Sequence, residues 1–289
     1  MKKLFLIVFT VLPFICFGQY YGLMNKPLAG VSYSDEYQAL LDYASGQGYA
    51  TPNETQAMWG DSLCNCLVNG GYWSGADVIL IFREAPDEDW AGINWKTATD
   101  MAMTENGTIT WNINTGFSTN GSSYFDMNWN VTDDATNYTQ NDNEFSIWVN
   151  NGTFLSSTDY LGGMRGGTVW SSIGVRSFTW DRVYAAAMGS GEVNTVTSEP
   201  ADLTDDLIAA YRTSSTVQRV SVNGVEDLFV SNTSAADEGY NFFLFAQNRL
   251  GAASGHASSG TQIHFVYIGA AIGNDTGLYD CVNTFFTNQ

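Results

Sequence analysis

The chain has 289 residues, and its 30 aspartate and glutamate residues outnumber its 11 lysine and arginine residues, which gives a formal net charge of −19. Binding to nucleic acid or to an anionic membrane depends on clustered positive charge, which this composition does not supply. We therefore expect no nucleic-acid partner. The length suffices for one large domain with a smaller appendage.

Residues 1–18 have the three parts of a secretory signal peptide. Lys2 and Lys3 precede an apolar run, residues 4–14, that is too short to span a bilayer comfortably. Cys16-Phe17-Gly18 then provides a small-x-small cleavage site. We expect a secreted protein, extracellular or at the cell surface, that does not insert into a membrane once the signal is cleaved. A retained anchor or a buried hydrophobic tail is the alternative.

Residues 19–104 predict a helical and linker segment that contains one strand. Ser34 is a suitable N-cap, and the apolar residues that follow it recur at helical spacing until glycines end the pattern. Thr51-Pro52-Asn53-Glu54 supplies the capping residues and first-turn proline of a second helix. The continuous apolar run of residues 77–82 has the length of a strand covered on both faces.

Residues 105–289 predict a β-sandwich. Short segments rich in threonine, aromatic and β-branched residues alternate with polar turns, a rhythm typical of that architecture. Asn223-Gly224, between alternating apolar residues, specifies a tight hairpin, and a helix capped by Asn274 or Asp275 is expected near the C-terminus. The predicted fold class is mainly β: a two-sheet antiparallel sandwich with a small N-terminal helical segment and a short C-terminal helix. The predicted strands are residues 108–113, 123–129, 144–149, 168–176, 182–187, 207–212, 217–222, 225–230, 241–247 and 262–268.

Five segments of this region stand in a distinctive order: Gly121-Ser122-Ser123-Tyr124-Phe125-Asp126, Glu144-Phe145-Ser146-Ile147-Trp148-Val149, Val222-Asn223-Gly224-Val225, residues 243–248, and Phe265-Val266-Tyr267-Ile268-Gly269-Ala270. Together they resemble the concanavalin A-like lectin/glucanase superfamily, in its laminin-G-like branch. Residues 36–43 and Ile93-Asn94-Trp95-Lys96 are similar to the leader of such proteins among exported bacterial and bacteriophage virion components. The resemblance implies a jelly-roll sandwich whose concave face or rim loops commonly bind glycans, and it indicates fold more than activity.

Three cysteines remain after Cys16 leaves with the signal peptide. Cys64 and Cys66 lie two residues apart on a predicted helix and point in nearly opposite directions, so at most one of them can face Cys281. One interpretation is a disulfide to Cys281 in an oxidising compartment, with Cys66 as the candidate partner and the choice between Cys64 and Cys66 left open. The other is three buried, inert thiols. Neither provides a zinc site, because the ligand count is too low.

The sequence shows no catalytic pattern. A glycosidase needs two carboxylates that face each other across a sugar, and the Glu, Asp, Glu alternation of the retaining glucanases in this superfamily does not occur. Residues 84–89 are acidic but contain a proline and are typical of a solvated turn. The sequence contains no nucleophile elbow with which His256 or His264 could form a catalytic triad. We predict a protein without enzymatic activity, and a divergent glycosidase that uses Glu144 or Asp126 is the alternative.

We also predict no cofactor, with a bound calcium ion as the alternative. Oxygen donors for calcium exist in Asp133-Asp134, Asp202 and Asp205-Asp206. However, the chain has no Asp-x-Asp-x-Asp run, and turn capping accounts for these residues more economically.

Aromatic residues with polar neighbours are the candidate ligand contacts. Pyranose rings stack on exposed aromatic faces, while arginine, asparagine and backbone groups bond the hydroxyls. Most of the nine tryptophans and fifteen tyrosines are expected in the core, so packing is the alternative for each candidate. The candidates are Trp170 and Trp180 flanking Arg176, Tyr160 near Arg165, and Asn248 with Arg249.

The leading hypothesis is a secreted recognition protein that binds a glycan or another cell-surface ligand through rim loops on a rigid sandwich. The second is a structural or virion-associated assembly protein that docks through its N-terminal helices, which predicts a homo-oligomer or a particle association. The third is the divergent glycosidase.

Overall fold

Two large sheets face each other and enclose the core of the protein. The computed structural model describes residues 32–150, 152–153, 159–176, 182–190, 193–194, 202–231, 233–271, 273 and 275–288. Residues from Tyr33 to Gln289 belong to one compact unit. The predicted signal peptide, residues 1–18, lies outside the described residues. Within the described ranges no helix is long and apolar enough to cross a membrane.

The helices of the described ranges are α1 (Asp35–Gln47), α2 (Glu54–Asn69), α3 (Tyr72–Gly75), α4 (Glu88–Ala91), α5 (Val131–Asp134) and α6 (Asp275–Thr287). The strands are β1 (Ala76–Ile81), β2 (Ile93–Asn94), β3 (Thr99–Asp100), β4 (Thr104–Asn106), β5 (Ile109–Asn112), β6 (Gly116–Thr119), β7 (Tyr124–Asp126), β8 (Asn143–Asn150), β9 (Gly152–Thr153), β10 (Asp159–Arg165), β11 (Trp170–Arg176), β12 (Arg182–Gly189), β13 (Val193–Asn194), β14 (Asp202–Leu203), β15 (Asp206–Ser214), β16 (Val217–Val222), β17 (Val225–Ser231), β18 (Phe243–Leu244), β19 (Gln247–Arg249), β20 (Ala252–Ser254) and β21 (Gln262–Gly269).

The strands form two large sheets and two small pairs. Sheet 1 has the order β17-β16-β15-β8-β21-β6-β5, with β1 also paired to β21. Sheet 2 has the order β13-β12-β11-β10-β18-β7-β4, with β19 paired to both β10 and β20. The small pairs are β2 with β3 and β9 with β14. The predicted fold class is therefore confirmed: the protein is mainly β, with antiparallel sheets and small helices near both ends of the described chain.

Strand β8 runs through the middle of sheet 1 and is buried on both of its faces. Phe145 points towards sheet 2, where its ring contacts Phe242 with 5.1 Å between centroids. Trp148 points the other way and stacks on Tyr279 of α6, with 5.5 Å between centroids. A strand covered on both faces needs apolar residues at nearly every position, which explains the apolar pattern of residues 145–149, interrupted only by Ser146.

The N-terminal helices are tied to the same body. Strand β1 pairs with β21 from Ala76 to Ile81, which places the apolar run predicted for residues 77–82 beside sheet 1. A disulfide joins Cys66 of α2 to Cys281 of α6, and Cys64 is a buried free thiol. The division that the sequence predicts between residues 104 and 105 falls inside β4 and stays a prediction.

The structure corrects one predicted strand. Residues 241–247 were expected to form a single strand, but the chain instead forms β18 and β19, separated by a turn. Phe245 has a φ of 65°, a left-handed backbone conformation that a continuous strand cannot contain. Of the strands that were not predicted, β6 and β10 are the longest in the described ranges.

Candidate functional site

Arg165 and Trp170 lie directly opposite each other where β10 and β11 meet their connecting turn. The guanidinium carbon of Arg165 lies 3.3 Å from the centroid of the Trp170 ring, which is a cation–π contact. Directly opposed residues of antiparallel strands share one face of the sheet, so the hairpin register holds this pair together. Both side chains are half-buried, and each keeps part of its surface in contact with solvent.

Two residues of β19 complete this group, because β19 runs parallel to β10. Met164 pairs with Asn248, and Arg165 pairs with Arg249. The backbone N–H of Leu250 also donates to the Arg165 carbonyl oxygen, at 3.0 Å. We call Arg165, Trp170, Asn248 and Arg249 the Arg165 rim. Two arginines therefore stand in adjacent register beside an indole, in a chain that has few positive charges.

Asn248 has a structural part in the Arg165 rim. Its side chain is 3% exposed, its Nδ2 donates to the Asn241 carbonyl oxygen at 2.9 Å, and its Oδ1 accepts from the Gly251 N–H at 2.9 Å. These bonds fix the turn that follows Arg249. Arg249 itself is exposed, so Asn248 positions the second arginine and does not itself offer a surface to a ligand.

Glu238 closes the turn between the two strands of the hairpin. Its carboxylate accepts hydrogen bonds from the backbone N–H groups of Gly167 and Thr168, at 2.7 and 2.8 Å, and from the Thr168 hydroxyl at 2.9 Å. These bonds, that from Gly167 first, hold the pKa of Glu238 below its usual value. Glu238 is exposed, and its charge is directed into the turn by three donors.

The other predicted ligand residues lie elsewhere. Tyr160 is 4% exposed and stands at the opposite end of β10 from Arg165. Arg176 ends β11, about 20 Å along the strand from Trp170 by ordinary strand rise, and pairs with Arg182. Trp180 lies outside the described residues. The structure thus brings together Arg165, Trp170 and Asn248, and it places Tyr160 and Arg176 apart from them.

The two carboxylates of the glycosidase alternative belong to different sheets. Glu144 lies on β8 of sheet 1, is 1% exposed and accepts from the Ser146 hydroxyl at 2.7 Å. Asp126 lies on β7 of sheet 2 and accepts from the Asn128 N–H and from Asn241 Nδ2, at 2.8 and 2.9 Å. Both carboxylates therefore have local hydrogen-bond partners.

The candidate calcium donors take part in turns. Asp133 accepts from Asn130 Nδ2 and Asp134 from the Asn130 N–H, at the start of α5. Asp206 accepts from the Thr204 N–H and from Asn223 Nδ2, at 3.0 and 2.7 Å. Among the described residues, no group of three or more histidine, cysteine, aspartate or glutamate side chains could hold a metal ion.

His264 and Asp205 form a second polar cluster, under α6. His264 is fully buried, and its Nδ1 lies 3.6 Å from Asp205 Oδ1, longer than a hydrogen bond. Burial lowers the pKa of His264 and outweighs the attraction of Asp205. Burial raises the pKa of Asp205, but the neighbouring His264, the Trp148 indole N–H and the Arg83 guanidinium together hold it below its usual value. This cluster supports the packing of α6, because Phe286 of that helix contacts both His264 and Arg83.

The pairing of β10 with β11, which brings Arg165 and Trp170 together, was not predicted from the sequence. Arg165 and Trp170 bracket Gly166-Gly167-Thr168-Val169, and a short loop that contains glycine between two strand-like runs is a hairpin signal. Glu238 carries no such signal, because it contacts the turn from about 70 residues further along the chain.

No family model matches the chain, and no curated protein matches it. Several solved structures are similar to this chain. Domain 4 of AbnA, a GH43 extracellular arabinanase from Geobacillus stearothermophilus, in complex with arabinotriose, is 15% identical, covers 71% of this chain and 98% of its own, and has a TM-score of 0.46. Botulinum neurotoxin type C, whose passage into cells depends on interaction with two ganglioside molecules, is 12% identical, covers 72% and 51%, and has a TM-score of 0.50.

The binding domain of botulinum neurotoxin DC in complex with rat synaptotagmin II is 10% identical, covers 74% of this chain and 52% of its own, and also has a TM-score of 0.50. This chain shares a β-sandwich fold with the two neurotoxins. It spans about half the length of these neurotoxin chains. At such identities the likeness shows the fold alone.

Proposed function

We propose that this protein is a secreted recognition protein, of the laminin-G-like branch of the concanavalin A-like superfamily, that binds carbohydrate at the Arg165 rim without catalysing a reaction and without a bound metal. The observation that carries the proposal is the grouping of Arg165, Trp170 and Arg249 at one end of sheet 2. The same residues offer an aromatic surface, two guanidinium groups and no opposed pair of carboxylates.

The chemistry of the Arg165 rim favours an acidic sugar. A guanidinium group presents paired donors that match the two oxygens of a carboxylate or sulfate, and Arg165 is held in place by the Trp170 ring. Arg249 lies beside it in register and adds a second charge. In a chain with a net charge of −19, the two arginines give this surface a local positive charge.

The fold comparison supports a ligand on a cell surface. Of the two neurotoxins compared above, one is described as dependent on gangliosides for cell entry and the other is in complex with synaptotagmin II. We infer that the present sandwich uses an end of sheet 2 in a comparable recognition role.

A glycan array followed by calorimetry tests this function. We expect the protein to retain sialyllactose better than lactose, with an affinity that falls as salt is added. Replacing Arg165→Gln or Arg249→Gln removes charge-assisted hydrogen bonds worth about 1.5–3 kcal/mol each, or roughly tenfold or more in affinity. Arg219→Gln is the matched control and should leave binding unchanged. Arg219 is partly exposed and pairs with Glu226 on sheet 1.

Two results would contradict the proposal. Failure to retain any acidic or neutral glycan at millimolar concentration would exclude carbohydrate recognition. Equal binding by the wild type and the Arg165→Gln protein would place the contact outside the Arg165 rim. Release of reducing sugar by the wild type, lost in Glu144→Gln or Asp126→Asn, would instead favour the glycosidase alternative.

A further inference from the structure

A separate cleft is lined on one side by Trp95-Lys96-Thr97-Ala98, in the N-terminal part of the chain. Its volume is about 280 Å³. Its walls include Asp35, Glu36 and Ala39 of α1, Trp73 of α3, and Trp95 and Lys96. We call this space the Trp95 cleft. None of its lining residues belongs to the Arg165 rim, so it does not depend on the function proposed above.

Asn94 anchors the segment that carries Trp95 and Lys96. The side-chain Oδ1 of Asn94 accepts from the backbone N–H groups of Ile79 and Lys96, at 3.0 and 3.1 Å, and its Nδ2 donates to the Asp77 carbonyl oxygen at 3.0 Å. The Trp95 N–H in turn donates to the Ile79 carbonyl oxygen at 2.8 Å. Because Asn94 is 6% exposed, these bonds anchor the segment to β1 and leave little freedom to the residues above it.

Trp95 carries a polar group that the protein leaves without a partner. The residue is 3% exposed, and its indole Nε1 has no hydrogen-bond acceptor in the described part of the chain. A buried indole N–H ordinarily has an acceptor. The indole ring forms part of the cleft wall, and its Nε1 lies beneath the surface of that wall.

The charges on the walls are mixed. Asp35 and Glu36 are acceptors on one side, whereas the Lys96 ammonium group lies on the other, where it donates to the Trp73 carbonyl oxygen at 2.8 Å. That bond uses one of its three donors. The Lys96 ammonium group would repel a cationic ligand, and the Asp35 and Glu36 carboxylates would repel an anionic one. The walls therefore favour a neutral ligand that both donates and accepts hydrogen bonds.

We infer that the Trp95 cleft binds a single neutral sugar residue, with Trp73 contacting the ring and Asp35, Glu36 and Lys96 bonding its hydroxyls. The aromatic walls suit the apolar face of a pyranose, and the alternation of donors and acceptors suits its edge. A volume of 280 Å³ is at the small end of ligand pockets, which fits one ring better than an extended chain.

Saturation-transfer NMR with methyl β-D-glucoside, methyl β-D-galactoside, methyl α-D-mannoside and the methyl glycoside of N-acetylglucosamine tests the site. We expect at least one of these probes to bind with a millimolar Kd, and glucuronate and glucosamine to bind less well. Trp73→Ala should lower the affinity for the bound probe by about three- to tenfold, which is the usual contribution of one aromatic contact. Transfer to none of the neutral probes, or stronger transfer to glucosamine than to any of them, would overturn the inference.

Ala39→Gln blocks the cleft without disturbing the fold, because Ala39 is an exposed position of α1 that lines the space and glutamine is a good helix former. We expect this variant not to bind the probe and to have the same unfolding temperature as the wild type. Ser45→Gln, an exposed position later on the same helix, is the matched control and should bind like the wild type. Binding retained by Ala39→Gln would refute the site.

Trp170→Ala separates this inference from the proposed function. It alters the Arg165 rim and should leave binding of the methyl glycoside unchanged. Loss of probe binding in Trp170→Ala together with retention in Ala39→Gln would assign the neutral sugar to the rim and end the case for the Trp95 cleft.

Discussion

Cys66 and Cys281 are joined by a disulfide although 215 residues separate them in the sequence. The bond links α2 to α6, and α6 covers the outer face of sheet 1 through the stacked rings of Trp148 and Tyr279. The two ends of the described chain are therefore held together covalently as well as by packing.

The disulfide is expected to add substantially to stability, because cross-links that close long loops restrict the unfolded chain most. Replacing both partners, as Cys66→Ala with Cys281→Ala, should lower the free energy of unfolding by about 2–5 kcal/mol. Urea denaturation followed by tryptophan fluorescence measures this, and dithiothreitol should lower the wild-type midpoint to a similar extent. Cys64→Ala is the control: that thiol is free and buried, so its loss should leave the effect of dithiothreitol intact. An unchanged midpoint in the double variant would disprove the role of the bridge.

The fold class could be predicted from the sequence because the residues of each main strand and turn specify that element locally. The run of residues 145–149 and the Asn223-Gly224 turn each specify their own structure, and both elements form where predicted. Strand β10 escaped prediction because Gly162-Gly163 interrupts its apolar pattern. The need for Gly162 comes from a neighbouring strand: a Cβ there would lie 2.8 Å from the Phe243 carbonyl oxygen of β18, a contact that no local pattern reveals.

The candidate site was predictable only in part, for a similar reason. Trp170 and Arg176 are close in sequence, but an extended strand separates them along its whole length. Asn248 and Arg165 are far apart in sequence, but the parallel pairing of β19 with β10 brings them together. Residue type therefore indicated which side chains could bind a ligand, and only strand pairing could decide which of them share a surface.

His264 should make stability depend on pH. Burial holds its pKa below the usual 6.5, so the unfolded chain takes up a proton at a higher pH than the folded chain does. Stability is therefore unaffected by this group well above pH 6.5 and decreases as the pH falls below that value. The groups that act on His264 are Asp205, Arg83 and Glu84. Asp205 has a lowered pKa, so its contribution is lost only in a separate range, below its usual 3.8.

The measurement is the free energy of unfolding at about pH 8 and about pH 5, between which a histidine changes charge. We expect the wild type to lose stability over this interval and His264→Gln to lose less. His256→Gln, which changes the half-buried histidine near Tyr124, should behave like the wild type. Identical pH slopes in the wild type and His264→Gln would show that another group is responsible.

Arg212 is a fully buried cation whose guanidinium geometry should be essential. Its Nε donates to the Ala187 carbonyl oxygen at 2.8 Å, and its other nitrogens donate to the Ser214 carbonyl oxygen and to Gln218 Oε1, at 3.2 and 3.4 Å. Burial lowers the pKa of Arg212, although not enough to remove its charge.

Lysine cannot reproduce this fork of donors, so Arg212→Lys should leave buried acceptors without partners and destabilise the protein by about 3 kcal/mol. Arg219→Lys, at the partly exposed pair with Glu226, should cost no more than about 1 kcal/mol. Thermal or urea unfolding of both variants makes the comparison. Equal effects at the two positions would mean that burial of Arg212 does not constrain its chemistry.

Gly163 should be irreplaceable, because both its backbone and its surroundings exclude a side chain. Its φ is +122°, and a Cβ atom there would lie 2.2 Å from the Ser171 carbonyl oxygen of the neighbouring strand. Gly163→Ala must therefore separate β10 from β11, which should reduce stability by more than about 3 kcal/mol and release Arg165 from Trp170. Gly46 is the matched contrast: it lies in α1, a Cβ there meets nothing within 4 Å, and Gly46→Ala should stabilise the protein by about 0.5–1 kcal/mol. Differential scanning calorimetry of the two variants should therefore shift the transition in opposite directions, and a Gly163→Ala protein with the wild-type transition would refute the hairpin geometry on which the Arg165 rim is built.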